Sequence, residues 1–154
     1  MEVTLHKASV SDAELIWNMQ KTSFMNLFQK YQDEDTSPAN EPLEKVRKRL
    51  EQPETHFYFI YAGGENVGAI RVVTRNDSSR KRISPIFILP EYRNRGIAQK
   101  AIHEAEKLHG KEEWELDTIL QEKGNCHLYE KMGFQATGKI RNVNERLTLI
   151  HYNK

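Results

Sequence analysis

The sequence has very little cysteine, since Cys126 is the only one among 154 residues. No internal disulfide can form, and a lone thiol is typical of a protein from a reducing compartment, so we expect a cytoplasmic location. The first residues fit neither a signal peptide nor a transit peptide, which agrees with that expectation. Free cysteine is usually buried, so the default interpretation of Cys126 is a packing side chain.

Long hydrophobic runs and an excess of one charge are also missing. No apolar stretch approaches the ~20 residues that a membrane-spanning helix needs. Lys and Arg number 23 against 22 Asp and Glu, a formal net charge of +1, which removes the main electrostatic argument for nucleic-acid binding. The basic clusters 47–49 and 80–82 have acidic neighbours and are interpreted as solvated surface. We therefore expect no nucleic-acid partner and no membrane partner.

What remains is a chain of the size of one domain, and no repeat or linker divides it, so residues 1–154 are predicted to form a single domain. Apolar periodicity predicts the order strand, helix, helix, three strands, helix, strand, helix, two strands. Ser11-Asp12-Ala13-Glu14 fits a capping box at the start of the first helix. The three consecutive strands should be antiparallel, and the strand–helix–strand unit after them implies a parallel pair. The prediction is an α/β fold with a mixed sheet.

The most informative stretch runs from residue 83 to residue 98. A β-branched apolar run predicts a buried strand that Pro90 ends, and helical spacing begins at Ile97. Between them lies Arg93-Asn94-Arg95-Gly96. The first amides of a helix lack intrahelical acceptors and lie at the positive end of its dipole, while Gly96 allows close approach and two arginines add charge. This pattern predicts a phosphate or pyrophosphate site. It lacks the Gly-Lys-Ser/Thr of a P-loop and the three glycines of the dinucleotide fingerprint.

Two segments carry a family resemblance. Arg93-Asn94-Arg95-Gly96-Ile97-Ala98 resembles the Q/R-x-x-G-x-G/A motif of the GNAT acetyltransferase superfamily, and Leu128-Tyr129-Glu130-Lys131-Met132-Gly133-Phe134 is similar to its "LYEKxGF" segment. The resemblance is best over residues 56–139. It implies the GNAT fold, in which a splay between the fourth and fifth strands, opened by a bulge, holds the pantetheine arm of coenzyme A. It also implies an N-acetyltransferase with acetyl-CoA as co-substrate.

The resemblance assigns roles to particular residues. The expected cofactor-binding residues are Ile88, Leu89, Arg93, Asn94, Arg95, Gly96, Ile97, Ala98 and Asn125. Backbone N–H groups near Ile88 and Leu89 are the expected donors to the oxyanion. Tyr129 is the expected catalytic residue, since a phenol of pKa ~10 can protonate a thiolate whose conjugate acid has a pKa near ~8.5. The alternative for Tyr129 is packing with one structural hydrogen bond.

One position departs from the family pattern. Many members carry an Asn seven residues before the tyrosine, and here that position is Glu122. Asn125 lies four residues before Tyr129, where it either contacts the cofactor or caps the short helix. We also expect the gap between the parallel strands to be bordered by Leu89 and Leu120, at their carboxyl ends.

The acceptor amine must be neutral to attack, although a lysine-like amine has a pKa near ~10.4. The general base stays open among Glu91, the aspartates of the 33–35 loop, Tyr61 and a water relay. By the resemblance, the connection between the first two helices helps to form the acceptor side. The residues of that connection that could meet a cationic amine are Tyr31, Asp33, Glu34 and Asp35. A solvated acidic loop is the alternative.

The expected acceptor is a small-molecule amine, or a peptide or protein amine, and a homodimer through the C-terminal strands stays open. The six histidines show no metal-ligand spacing, so no metal is expected. Direct attack by the amine requires no cysteine or serine nucleophile, so Cys126 needs no catalytic role. The competing hypothesis is a non-catalytic acyl-CoA-binding or sensor module on the same fold. Release of thiol that depends on an acceptor distinguishes the two.

Overall fold

The computed structural model of the chain describes residues 1–75, 77 and 79–154. The strands of this part are β1 (Val3–Lys7), β2 (Thr55–Ala62), β3 (Glu65–Val73), β4 (Lys81–Ile88), β5 (Trp114–Ile119), β6 (Gln135–Asn142) and β7 (Thr148–Asn153). The α-helices are α1 (Ala13–Tyr31), α2 (Leu43–Glu51), α3 (Ile97–His109) and α4 (Lys123–Lys131). This is the order of helices and strands that the sequence predicts.

The strands form one mixed sheet in the order β1-β2-β3-β4-β5-β7-β6. Only β4 and β5 are parallel, and they pair solely at their beginnings, where Lys81 faces Trp114 and Arg82 faces Glu115. Further along, β5 pairs with β7 on its other side while β4 stays with β3. The predicted splay between the fourth and fifth strands is confirmed, and we call this opening the gap.

A β-bulge in β4 lies next to the gap. Ile70 faces Ile86 and Val72 faces Ile83, so β4 uses one residue more than β3 over this interval. The surplus falls at Ser84-Pro85, where the missing N–H of proline is tolerated. The Arg71 Nε donates a hydrogen bond to the Ser84 carbonyl. Because a bulge bends its strand and increases the local twist, it turns the end of β4 away from β5.

Apolar side chains cover both faces of the sheet. Alternate residues of β2 point to opposite sides, so Tyr58 and Ile60 join one buried cluster while Phe57 and Phe59 join the other. The first cluster is covered by α3 through Ile97, Ala101, Ile102 and Ala105. The second is covered by α1 and α2 through Ile16, Met19 and Val46. Helices therefore pack on both sides of the sheet.

The start of the first helix differs from the prediction. The capping box is formed by Ser9 and Asp12, with the Ser9 N–H donating to Asp12 Oδ2 at 2.9 Å, and not by Ser11 and Glu14. Ser9 is the residue with extended backbone, at φ −115° and ψ 172°, which is the geometry of an N-cap. It opens the short 3-10 turn Val10–Asp12, and α1 follows without a side-chain cap of its own.

Candidate active site

The turn between β4 and α3 presents a row of unused backbone amides. From Asn94 to Gln99, no N–H finds an acceptor among the described residues, and the first bond is from the Lys100 N–H to the Gly96 carbonyl at 3.2 Å. Gly96 is the N-cap of α3 and contributes no side-chain oxygen. These donors lie at the positive end of the helix dipole, so they form a site suited to an anion.

The backbone of this turn depends on Gly96. Its φ of 75° lies in the left-handed region that side chains disfavour, and Asn94 adopts a similar φ of 64°. A Cβ built on Gly96 would meet no heavy atom within 4 Å, so open space adjoins the turn. The geometric condition for a ligand to approach the backbone here is therefore met.

The two arginines of the turn are held differently. Arg93 is half-buried, and its guanidinium donates to the Ile88 carbonyl at 3.0 Å and to the Ser23 carbonyl. Arg95 is exposed, donates to the Glu91 carbonyl at 3.1 Å and lies over the ring of Tyr92. Arg93 thus fixes the turn against β4 and α1, whereas Arg95 lies on the outer surface.

A cavity of about 430 Å³ leads from this turn into the gap, and we call it the first cavity. Of the predicted site residues, it is lined by Ile88, Arg93, Asn94, Gly96, Ile97, Ala98, Asn125 and Tyr129. Leu89 and Arg95 are not among its lining residues. The structure therefore brings most of the predicted set together around one space.

The expectation of a free amide at Leu89 is wrong. Its N–H donates to the Val67 carbonyl at 2.8 Å, because the ladder between β4 and β3 reaches this far, and its side chain packs on the α1 side of the sheet. Successive N–H groups of a strand alternate between its two neighbours, so the Ile88 amide faces the gap. Ile88 therefore remains the candidate oxyanion donor.

The borders of the gap also differ from the prediction. Leu89 and Leu120 line neither cavity of the gap, and the Leu120 N–H bonds to the Thr148 carbonyl. The strands separate earlier than their carboxyl ends, at the bulge near Ser84. The wall is consequently formed by residues such as Ile83 and Leu116.

Tyr129 lies where the first cavity meets a second one, of about 340 Å³. Its side chain is buried, with the ring centroid 5.8 Å from that of Phe134. No hydrogen bond joins its hydroxyl to any described residue, so the alternative of a structural hydrogen bond does not hold. Burial raises the pKa of Tyr129 to about 12, with a further contribution from Cys126. The hydroxyl therefore keeps its proton at neutral pH and is available to a ligand.

The Ser23 hydroxyl is a second unpartnered polar group on the first cavity. Ser23 belongs to α1, its residue is 1% exposed, and its Oγ has no hydrogen-bond partner within the described part of the chain. A buried polar group without a partner costs about 1–3 kcal/mol. A polar ligand in the cavity would remove that cost, so Ser23 is an independent indication that the space takes a ligand with hydrogen-bonding groups.

Glu122 occupies the position where the family commonly has Asn. Its carboxylate accepts hydrogen bonds from the Tyr31 hydroxyl and from Lys30 Nζ, the latter at 2.9 Å. Burial raises the pKa of Glu122, but these two donors outweigh burial and leave the pKa below its ordinary value. Glu122 is thus a carboxylate that joins the end of α1 to the start of α4, next to the first cavity.

Asn125 does not cap the short helix. The N-cap of α4 is Glu122, and Asn125 lies inside the helix, on the wall shared by both cavities. The capping alternative is therefore wrong, and contact with a cofactor stays a prediction.

The second cavity continues the gap on the other side of Tyr129. The two cavities share Phe24, Leu27, Ile86, Asn125 and Tyr129. The charged residues on the wall of the second cavity are Asp33, Arg82, Asp117 and Arg141. A molecule in the second cavity would therefore meet one in the first beside Tyr129 and Asn125.

Among the four residues predicted to meet an acceptor, only Asp33 lines the second cavity. Asp33 is 4% exposed, and it accepts hydrogen bonds from the N–H groups of Asp35 and Thr36 at 3.1 and 2.8 Å. Glu34 and Asp35 are exposed and fit the alternative of a solvated loop. The Tyr31 hydroxyl already donates a hydrogen bond to Glu122. Two further candidates for the general base, Glu91 and Tyr61, line neither cavity.

Sequence reasoning missed Ser23, Arg82, Asp117 and Arg141. Arg82 and Asp117 form an ion pair across the opening between β4 and β5. Asp117 takes a polar position in the alternating pattern of β5, so that pattern does not mark it as a site residue. Ser23 gave no signal either, because a serine within a helix is ordinary. In the described ranges, no group of three or more His, Cys, Asp or Glu side chains is placed to hold a metal ion.

The comparison with protein families identifies the chain. A model described as the Acetyltransferase (GNAT) family matches residues 16–134. The protein therefore belongs to the GNAT acetyltransferase family. No curated protein sequence matches significantly. Over the residues that the structure covers, no helix combines the length and the apolarity that a bilayer crossing requires.

Solved structures share the fold at low sequence identity. A spermidine N-acetyltransferase from Vibrio cholerae in complex with CoA and spermine has a TM-score of 0.75 at 20% identity, over 97% of this chain and 93% of that one. The PaiA N-acetyltransferase from Thermoplasma acidophilum in complex with coenzyme A has a TM-score of 0.70 at 17% identity, over 100% of both chains. The ribosomal-protein-S18-alanine N-acetyltransferase from Escherichia coli has a TM-score of 0.73 at 13% identity, over 98% and 92%.

Proposed function

We propose that the protein is an N-acetyltransferase that transfers the acetyl group of acetyl-CoA to an amine by direct attack. Residues 1–154 would act as one domain. Its location would be the cytoplasm, because a chain with a single cysteine forms no internal disulfide and suits a reducing compartment. The observation that carries the proposal is the continuity between the unpaired amides of residues 94–99 and the gap that ends at Tyr129.

The residues of the first cavity fit coenzyme A in charge and in polarity. The amides of residues 94–99 would hold the diphosphate, because they are donors without acceptors at a helix N-terminus. The pantetheine arm would lie along the gap, where Ser23 offers a hydroxyl without a partner and Asn125 an amide side chain. Arg93 would contribute mainly by holding the turn in place.

Bound acetyl-CoA supplies a thioester carbonyl for attack and a thiolate leaving group. Ile88 is the residue whose backbone N–H would stabilise negative charge on the carbonyl oxygen, because this amide faces the gap, where β5 has left the ladder. The Tyr129 hydroxyl would donate a hydrogen bond to the sulfur. Cys126 is buried, and its thiol is directed at the carbonyls of Ile119 and Leu120, which agrees with a packing role.

The raised pKa of Tyr129 sets what its proton can do. From a phenol of pKa about 12 to a thiolate of pKa ~8.5, complete transfer is uphill by about 5 kcal/mol. In the same buried site the pKa of the thiol also rises, because burial disfavours its charged form as well. We therefore assign two successive roles to the Tyr129 hydroxyl. It first orients the sulfur through a hydrogen bond, and it donates its proton late, as the carbon–sulfur bond breaks.

Deprotonation of the amine is assigned to the second cavity. Asp33 and Asp117 are the carboxylates on its wall. Asp117 already pairs with Arg82, and Asp33 already accepts hydrogen bonds from its own loop. We propose that one of these two groups accepts the proton of an incoming ammonium, directly or through water, because Glu91 and Tyr61 line neither cavity.

The proposal is tested by thiol release from acetyl-CoA with a panel of amines, in a buffer free of primary amines. We expect release that depends on an added amine, together with acetylation of that amine by mass spectrometry. A non-catalytic acyl-CoA-binding module would bind acetyl-CoA in calorimetry but release thiol with none of the amines. That result would overturn the enzymatic proposal.

A further inference from the structure

The second cavity carries one unbalanced charge of each sign. Of its four charged residues, Arg82 and Asp117 compensate each other through their ion pair. Asp33 and Arg141 form no ion pair with any residue in the described part of the chain. Asp33 is buried and Arg141 is exposed to solvent, so a ligand in this cavity would meet one charge of each sign that no described side chain pairs.

The negative charge is held rigidly. Asp33 is almost fully buried, and three donors fix its carboxylate, namely the N–H groups of Asp35 and Thr36 and the Thr36 hydroxyl. These are neutral groups, so they orient the carboxylate without cancelling its charge. A buried charge without a counter-ion attracts a cation strongly, because the surrounding dielectric is low.

The positive charge belongs to a different element, the strand β6. Arg141 belongs to β6, where it faces Leu149 of β7, and both residues line the second cavity. No described residue accepts a hydrogen bond from its guanidinium. A guanidinium presents donors in a planar fork that matches a carboxylate, which makes it well suited to bind that group.

Resting on the proposed acetyltransferase activity, we propose that the acceptor is a small amine that also carries a carboxylate, which Arg141 binds while Asp33 attracts the ammonium group. The cavity of about 340 Å³ lies at the lower end of the range for small-molecule sites. A polyamine carries cations alone and would set like charge against Arg141. The pattern of charges therefore selects a zwitterion over a polycation.

The test uses matched sets of acceptors: amino acids of varied side chain, their carboxamides and the corresponding decarboxylated amines. Thiol release gives kcat/KM for each, with the intact chain. In the preferred set, we expect the kcat/KM of the amino acid to exceed that of its carboxamide and that of its decarboxylated amine by about tenfold or more. This is the effect of one charged hydrogen-bonded pair. The amine of an α-amino carboxamide is less basic than that of the free amino acid, so a larger fraction of it is neutral and able to attack. Intrinsic reactivity therefore favours the carboxamide and works against this expectation.

Arg141→Gln should remove that preference, mainly through a higher KM, while the affinity for CoA in calorimetry stays unchanged. The matched control is Arg146→Gln, since Arg146 is also exposed near the C-terminal hairpin but lines neither cavity. Turnover that is equal or better with the carboxamides and decarboxylated amines would overturn the inference and leave the acetyltransferase proposal intact. A preference that survives in Arg141→Gln would equally overturn it. Absence of thiol release with every acceptor would overturn the proposed function, and the inference with it.

Discussion

Tyr129 is the single residue whose chemistry the structure constrains most closely. It is buried, its hydroxyl has no partner among the described residues, and both cavities reach it. A buried phenol kept for packing alone would normally have its hydroxyl bonded, as Tyr152 does to Glu130 at 2.8 Å. The contrast between these neighbouring tyrosines indicates that Tyr129 has a role with a ligand.

Tyr129→Phe should lower kcat by about 10²-fold, because it removes the hydroxyl that we assign to the leaving sulfur. The affinity for CoA should change little, since packing of the ring is kept. Steady-state kinetics and calorimetry measure the two effects. Tyr152→Phe is the matched control, as Tyr152 is a buried tyrosine that lines neither cavity. If Tyr129→Phe turned over at the rate of the native protein, Tyr129 would have no part in the mechanism.

Among the individual site residues, some can be predicted from the sequence and others cannot. Tyr129 and Gly96 belong to short motifs whose spacing is visible in the chain. Ser23 and Arg141 lie outside those motifs and reach the site only through folding, so no local pattern marks them. The prediction of a free amide at Leu89 was wrong for a different reason. The extent of the β3–β4 ladder depends on pairing between residues that are distant in the sequence.

Among the secondary-structure elements, α3 provides the proposed binding site for the diphosphate of CoA at its start. Its amides are free, and its glycine leaves open space beside the turn. The order strand, turn, helix can be predicted from the sequence, because Pro90 ends the strand and the apolar spacing of α3 begins directly after Gly96.

Gly96→Glu should abolish measurable binding of CoA, because the side chain would enter the space beside the amides and add a negative charge opposite a diphosphate. Calorimetry measures the loss. The matched control is Gly138→Glu, since Gly138 also has a positive φ, at 93°, and open space beside it, but lies in β6 away from the turn. Micromolar affinity retained by Gly96→Glu would exclude this turn as the binding site.

The bulge in β4 is the element that the sequence could not locate. Ser84-Pro85 interrupts the strand pattern, but the surplus residue becomes evident only from the register with β3. Arg71, on β3, holds the Ser84 carbonyl at this point, and both Ser84 and Pro85 line the second cavity. The shape of the acceptor side therefore depends on a residue outside it.

Arg71→Met should lower the free energy of unfolding by about 1–3 kcal/mol, because the Ser84 carbonyl loses its donor in a half-buried position. It should also raise KM for the acceptor more than it weakens CoA binding. Chemical denaturation and steady-state kinetics measure the two effects. Arg47→Met provides the control, because Arg47 is also half-buried, forms an ion pair with Glu44 and lines neither cavity. Unchanged stability and unchanged KM would show that the bulge does not need Arg71.

Over the whole molecule, Glu41 links the two helices that cover one face of the sheet. Its carboxylate accepts two hydrogen bonds from Arg49 of α2, each 2.7 Å, and one from Gln20 of α1 at 2.8 Å. Trp17 of α1 donates to its carbonyl. These contacts hold the end of the connection between the helices, which also carries Asp33, against α1 and α2.

Glu41→Gln should lower the free energy of unfolding by about 1–3 kcal/mol at neutral pH, since it breaks a largely buried ion pair. Burial raises the pKa of Glu41, but Arg49, Gln20 and Lys45 together leave it below the ordinary value. A lowered pKa means that the stabilisation is present above about pH 4.3 and is lost as pH falls through the pKa of the folded state.

Urea denaturation of both proteins between neutral pH and about pH 3 measures this effect. The difference between native protein and Glu41→Gln should shrink toward the acid end, as the carboxylate of the folded chain begins to take up its proton. Glu44→Gln is the control, because Glu44 pairs with Arg47 at an exposed position. A difference that stays constant over this range would show that the charge of Glu41 does not stabilise the fold.

The most direct test of the account is a crystal structure with acetyl-CoA bound. We expect the diphosphate within hydrogen-bond distance of the amides of residues 94–99, the pantetheine arm in the gap between β4 and β5, and the sulfur next to the Tyr129 hydroxyl. A diphosphate bound elsewhere, or a gap closed by the protein's own side chains in that crystal, would contradict the proposed site and the acetyltransferase mechanism built on it.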